Sequence, residues 1–98
     1  DELKFRVMLT AGHSSGSVCY IIDDIIFSGD TLFRLSAGRT DMRDGNFQAL
    51  KNSLSMIAEL NDQPDYVVFP GHGEPTRLSY EKENNQFMQE NSDYDGML

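Results

Sequence analysis

Residues able to do acid–base or metal chemistry are few in this chain, which holds two histidines, His13 and His72, and one cysteine, Cys19. Both histidines directly follow a glycine, in Gly12-His13 and Gly71-His72, and each comes shortly after an apolar run. A carboxylate occupies the corresponding place after a third run: Asp30, in Phe27-Ser28-Gly29-Asp30-Thr31-Leu32-Phe33. Imidazole and carboxylate together suit borderline divalent metals, and strand ends hold such ligands rigidly. Glycines beside them let loop backbone pack closely around an ion. The same residues also have plainer readings. Ser-Gly-Asp-Thr is good turn chemistry, and a histidine in a glycine turn is commonly a hydrogen-bonded loop residue.

Three strands are needed to carry these three positions. Lys4 to Leu9 alternates Phe5, Val7 and Leu9 with Lys4, Arg6 and Met8, the period of a half-buried strand. Beyond the small-residue loop Ser14-Ser15-Gly16-Ser17, Val18 to Ile22 is a run of β-formers. Ile25 to Phe27 resumes it across Asp23-Asp24, which predicts a tight hairpin. Both of these strands are apolar enough to be covered on both faces. Arg34 to Asn46 reads as a long, charged loop punctuated by Gly38 and Gly45, and long loops in compact domains are often functional. The spacing of Phe47, Leu50, Leu54, Ile57 and Leu60 predicts an amphipathic helix with Asn46 as its cap, ended by Asn61-Asp62-Gln63-Pro64. Tyr66 to Phe69 is predicted as a short buried strand leading into Pro70-Gly71-His72-Gly73. A last helix is predicted over Ser79 to Asn91, capped by Ser79 and packed through Tyr80, Phe87 and Met88, with residues 92–98 as a disordered tail.

Length and composition bound what such elements can build. At 98 residues, with 39% hydrophobic and 24% charged residues, the chain is at most one globular domain with a modest core. A net charge of -8 repels phosphate backbones and anionic bilayers, which argues against nucleic acid and membrane surfaces as partners. Part of that acidity lies in Glu81, Glu83, Glu90, Asp93 and Asp95, the solvated face of the last helix and the tail. A lone Cys19 between Val18 and Tyr20 reads as a small buried hydrophobe, and a reduced, cytoplasmic protein fits best. No apolar run approaches the roughly 18 residues of a spanning helix, and the start carries no signal-peptide pattern.

Four segments carry more than any one of them alone: Thr10-Ala11-Gly12-His13-Ser14-Ser15-Gly16-Ser17, Phe27-Ser28-Gly29-Asp30-Thr31-Leu32-Phe33, Gly38-Arg39-Thr40-Asp41 and Phe69-Pro70-Gly71-His72-Gly73. In order and spacing they resemble the C-terminal half of a metallo-β-lactamase-fold hydrolase, closest in look to the small cytoplasmic glyoxalase II-like (hydroxyacylglutathione hydrolase-like) members. The resemblance runs from Phe5 to Met88. It implies an α/β (α+β) architecture over residues 1–91: one half of an αββα sandwich, with mixed and antiparallel strands packed by two helices. It further implies that His13 ligates a first divalent metal, His72 a second, and that Asp30 bridges them. Zinc is the first expectation, with iron or manganese suited to the same ligands. Asp30 would also be the catalytic carboxylate, orienting an attacking water and accepting its proton during hydrolysis of a small-molecule thioester or related ester. Arg39 is a candidate for the substrate-facing wall, and equally for a structural salt bridge to Asp41 or Asp44. The family often carries proline at the positions of Ala11, Ser15 and Gln86, which stiffens backbone without touching the ligands.

One departure is larger. The family's first half carries a His-x-His-x-Asp-His motif that supplies the remaining metal ligands, and these 98 residues contain no such motif. A catalytic zinc normally has three protein ligands plus water, so the chain reads as half of an enzyme, inactive alone. The absence of a leading methionine is compatible with a processed, truncated or excised piece. Two expectations follow. Either the chain supplies part of a hydrolytic metal site, or it is a non-catalytic half that binds metal weakly or serves in assembly. In both cases its uncovered apolar strands are expected to pair with the missing N-terminal half or with a second copy.

Overall fold

The computed structural model describes residues 3–89. The expected tail over residues 92–98 and the end of the predicted last helix lie outside them. Ten elements follow in order: strands β1 (Phe5–Leu9), β2 (Val18–Ile22), β3 (Ile25–Gly29), β4 (Leu32–Phe33) and β5 (Ser36–Ala37), helix α1 (Phe47–Ala58), strands β6 (Val67–Pro70) and β7 (Thr76–Arg77), helix α2 (Leu78–Asn84), and a 3₁₀ turn at Gln86–Met88. The main sheet has the order β1-β2-β3-β6-β7, and β4-β5 form a separate small hairpin.

Strand direction is what matters for a site. The β1/β2 and β2/β3 pairs are antiparallel and β3/β6 is parallel. Two reversals therefore make β1 run with β3, and β6 runs with it too. The carboxyl ends of β1, β3 and β6 open at one end of the sheet, and the segments carrying His13, Asp30 and His72 leave from there. The parallel β3/β6 pair requires a long crossover, which here contains the β4-β5 hairpin and α1.

Helix α1 covers one face of the sheet. Asn46 caps it as expected, its side chain accepting a 2.8 Å bond from the Ala49 N–H. The apolar stripe turns Leu50, Leu54 and Ile57 inward to form one core with Cys19, Ile21, Ile26, Val68 and Leu78. Just past the helix, Asp62 latches the same side: its carboxylate accepts bonds from the Tyr66 hydroxyl, Arg6 and Lys4.

The opposite face has no cover. Val7 stands opposite Tyr20, Tyr20 opposite Phe27, and Phe27 beside Phe69, so one apolar row crosses four strands. All four residues are exposed, as are Phe5 and Leu9. Phe27 stacks on Phe69 with ring centroids 5.8 Å apart, and Phe5 tilts against Tyr20 at 6.2 Å. The residues of β2 and β3 suit two covered faces, and, as expected of an apolar half, this chain supplies only one layer.

Other expectations need adjusting. The stretch read as a loop after Phe33 begins with β5, and β7 went unseen because two-residue strands have no period to detect. The predicted last helix is broken at Asn85, which takes an extended ψ of 114° while its side chain accepts from the Phe87 N–H at 2.8 Å. Ser79 does not cap α2. It lies inside the first turn and gives its hydroxyl to Asp65 at 2.7 Å, while Arg77 occupies the cap position without a side-chain bond. The mixed sheet with two helices otherwise agrees with the expected α/β architecture.

Candidate metal centre

Asp30 follows β3 directly, with its two carboxylate oxygens turned toward different histidines. Oδ1 lies 3.2 Å from His72 Nδ1, and Oδ2 lies 3.7 Å from His13 Nε2. The other nitrogen of His13, Nδ1, is 2.9 Å from the carbonyl oxygen of Arg39. A carbonyl can only accept, so Nδ1 carries the proton and Nε2 presents its lone pair on the Asp30 side. The side chains become more open from His13 (23% exposed) through Asp30 (40%) to His72 (78%). A cavity of about 400 Å³ is lined by these three with Phe33, Ser36, Ala37, Gly38 and Arg39.

Buried polar ties hold the strand ends. The Thr10 and Thr31 hydroxyls meet at 3.1 Å just before His13 and just after Asp30. Ser28 donates its hydroxyl to the Leu32 carbonyl at 2.7 Å across the turn that presents Asp30. From α1, Ser53 donates to the Ala11 carbonyl at 2.7 Å. Gly12 is required where it stands: at φ 148°, a Cβ would come within 2.5 Å of Leu50. The far side of that loop is fixed by Asp44, which accepts from the Ser15 N–H and hydroxyl at 3.0 and 2.9 Å. Those bonds hold the Asp44 carboxyl below the usual carboxylate range.

Sequence reasoning placed His13, Asp30 and His72 at strand ends, and the structure brings them together. Arg39 lines the same cavity, but its guanidinium forms a two-point bond with Asp41, at 2.8 and 3.0 Å, which raises the Arg39 pKa and lowers that of Asp41. Of the two salt-bridge partners considered, Asp41 is the one used and Asp44 is engaged elsewhere. The wall formed by Phe33, Ser36 and Ala37 was missed. Its only signal was a run of small residues, Ser36-Ala37-Gly38, beside the Asp30 motif.

A carboxylate turned toward two imidazoles gives a donor set of the kind that suits divalent ions. Each side of Asp30 has one histidine nitrogen and one carboxylate oxygen, short of the three protein ligands of a catalytic zinc. Among the described residues no group of three or more His, Cys, Asp or Glu gathers as a complete metal site. The donors fit a shared centre in part, and further ligands must come from elsewhere.

Comparison with known proteins bears on what that elsewhere is. Residues 1–72 match the metallo-beta-lactamase superfamily. The chain belongs to that superfamily. Its relatives include a probable metallo-hydrolase of Streptococcus pyogenes, 40% identical over 89% of this chain and 38% of that one, and the hydroxyacylglutathione hydrolase GloC of Haemophilus influenzae, 33% identical over 95 residues, which span 94% of this chain and 44% of GloC. Among solved structures, the BLEG-1 B3 metallo-beta-lactamase superposes with a TM-score of 0.80 at 39% identity, over 89% of this chain and 42% of that one. The superfamily protein TTHA1623, solved in a di-iron-bound form, superposes with a TM-score of 0.79 at 40% identity, over 85% of this chain and 42% of its own. The chain spans less than half the length of the curated relatives it matches. No helix among the described residues is long and apolar enough to cross a membrane.

Proposed function

We propose that this chain supplies one side of a binuclear metal centre in a glyoxalase II-like hydrolase of small-molecule thioesters or related esters. The observation that carries the reading is the division of Asp30, with one oxygen toward His13 and the other toward His72. In this reading His13 and Asp30 hold one divalent ion, Asp30 and His72 the other, and zinc, iron and manganese are all compatible with the donors. When bound, such ions supply Lewis acidity that polarises an acyl carbonyl and makes water a better nucleophile near neutral pH.

The remaining work falls to the chain's own residues. Asp30, at the centre of the cluster, orients an attacking water and takes up its proton. The Arg39 carbonyl keeps His13 in the tautomer that leaves Nε2 free to bind. Phe33, Ser36, Ala37 and Gly38 wall the cavity, restricting water and positioning the acyl group. Arg39 is assigned to the substrate side of that wall, where its charge, shared with Asp41, suits a carboxylate-bearing thiol carrier. Similarity to GloC, named as a hydroxyacylglutathione hydrolase, supports the thioester class. A cytoplasmic setting belongs to the same proposal and rests on Cys19, a buried cysteine without a disulfide.

The missing ligands are assigned to a segment bearing His-x-His-x-Asp-His, in an N-terminal half or on another chain. It would dock on the open apolar face through Val7, Tyr20, Phe27 and Phe69. The incomplete donor set favours a second reading, a half-domain without activity of its own. Metal analysis and thioester hydrolysis of the chain alone, then together with such a segment, separate the two. Metal uptake near two equivalents and turnover only in the complemented sample are expected. Complementation that restores fold but neither metal nor turnover would sink the hydrolase reading.

A further inference from the structure

One buried carboxylate lies outside the ligand cluster. Glu81, on α2, is 0% exposed, and all of its partners are uncharged. Oε1 accepts from the Leu35 N–H and from Asn85 Nδ2, both at 2.8 Å, and Oε2 accepts from the Thr76 hydroxyl at 2.7 Å. Asn85, four residues on and also 0% exposed, donates the same Nδ2 group to the carbonyls of Ser36 at 2.9 Å and Phe33 at 3.4 Å. A carboxylate buried without a cation is costly unless its bonds are specific. Here the two side chains hold both arms and the turn of the β4-β5 hairpin. Leu35 in that turn has φ 58°, a conformation a leucine rarely takes unless the surroundings impose it.

The hairpin touches each member of the cluster. The Phe33 ring meets the His72 ring edge-on with centroids 6.0 Å apart. Gly38, immediately after β5, presses on Asp30 so closely that a Cβ there would lie 1.8 Å from the Asp30 carbonyl oxygen. Arg39, the next residue, accepts from His13. We infer that Glu81 and Asn85 are positioning residues of the metal centre. By holding Phe33, Leu35 and Ser36 they set the hairpin that in turn sets His72, Asp30 and His13. The inference rests on reading that cluster as a metal centre, and Glu81 acts in it as a hydrogen-bond acceptor rather than as a charge.

Two substitutions separate these roles. Glu81→Gln keeps an acceptor for Leu35 and Asn85 and lets the Thr76 hydroxyl turn to accept, whereas Glu81→Ala removes all three bonds. The readouts are amide exchange at Leu35, the Phe33–His72 ring contact by NMR, and cobalt(II) titration followed by visible absorption. In Glu81→Ala, Leu35 exchange is expected to rise, the ring contact to weaken, and cobalt affinity to fall by about 10-fold or more, the scale of losing an outer-shell partner. Leu54 and Ile57 amides should keep their protection, and Glu81→Gln should restore all three readouts. Should Glu81→Ala fail to fold, Asn85→Ser, which releases Ser36 and Phe33, takes its place, with a weakened ring contact and lowered cobalt affinity as the expected outcomes. A loosened Leu35 with the ring contact and cobalt affinity unchanged would overturn the inference, as would Glu81→Gln behaving like Glu81→Ala. The cobalt titrations use the chain complemented as above, and a complemented wild-type sample that takes up no cobalt sinks the metal-centre reading. The clip is then decided by Leu35 exchange and the ring contact alone.

Discussion

The two faces of the main sheet are both apolar and have opposite fates. Cys19, Ile21, Ile26 and Val68 point to one side and lie under α1, fully or almost fully buried. Val7, Tyr20, Phe27 and Phe69 alternate with them on the same strands and stand exposed. Both sets are apolar, small or aliphatic on the covered face and largely aromatic on the open one. What separates them is the layer opposite, which one face finds within the chain and the other does not. An exposed apolar row rimmed by a chain of net charge -8 marks an interaction surface rather than a solvent face.

That contrast can be broken by experiment. The largest effect is expected on the covered face: Ile26→Ala or Ile57→Ala should cost about 2–5 kcal/mol in urea unfolding, and Phe27→Ala, measured at protein concentrations low enough to keep the chain monomeric, only about 0.5 kcal/mol or less. Equal losses would mean that the open face is already covered in solution. Next in size is the cluster between the faces and the sheet end. Asp30→Asn should weaken uptake of both metals at least as much as the roughly 10–100-fold that loss of an outer-shell partner costs. His72→Ala should affect one equivalent only. Metal content after gel filtration reads both, and retention of two equivalents in Asp30→Asn would remove it as the bridge.

The open face makes a prediction of its own. Light scattering on the chain should give a mass above 11.1 kDa, and Phe27→Lys should return it to that value. A well-behaved wild-type monomer would count against association through this row.

The smallest effect concerns pH on the covered side. The Tyr66 hydroxyl, assisted by Lys4 and Arg6, holds the Asp62 carboxyl at about 2. Because the folded-state pKa is depressed, the stabilisation is fully present above the ordinary carboxylate value of about 3.9 and is lost as pH falls toward 2. Asp62→Asn should flatten unfolding midpoints over that window, and an unchanged slope would dismiss the latch.

Much of the site was legible because its chemistry is rare in this chain. Two histidines and a carboxylate, each beside glycine after an apolar run, leave few candidates, and ordered motifs sharpened them. The main strands and α1 were legible through their periods, and Asn46 through its capping chemistry. The hairpin that walls the cavity was not, because β4 and β5 are two residues each and are held by Glu81 and Asn85 from more than forty residues away in sequence. Glu81 itself read as part of a solvated acidic face. Charge in a sequence says nothing about burial until its partners are known. Ser79 misled for a similar reason, since Asp65 offered its hydroxyl a better use than capping.

Sequence alone pointed to the main strands, to α1 and to His13, Asp30 and His72 as candidate ligands. Those are properties of residue type and short spacing. The tertiary structure decided that β1, β3 and β6 run the same way, so that the three candidate ligands meet at one end of the sheet with Asp30 divided between two histidines. It also decided which face of the strands stays open, because burial depends on what lies opposite, and that is fixed by contacts distant along the chain.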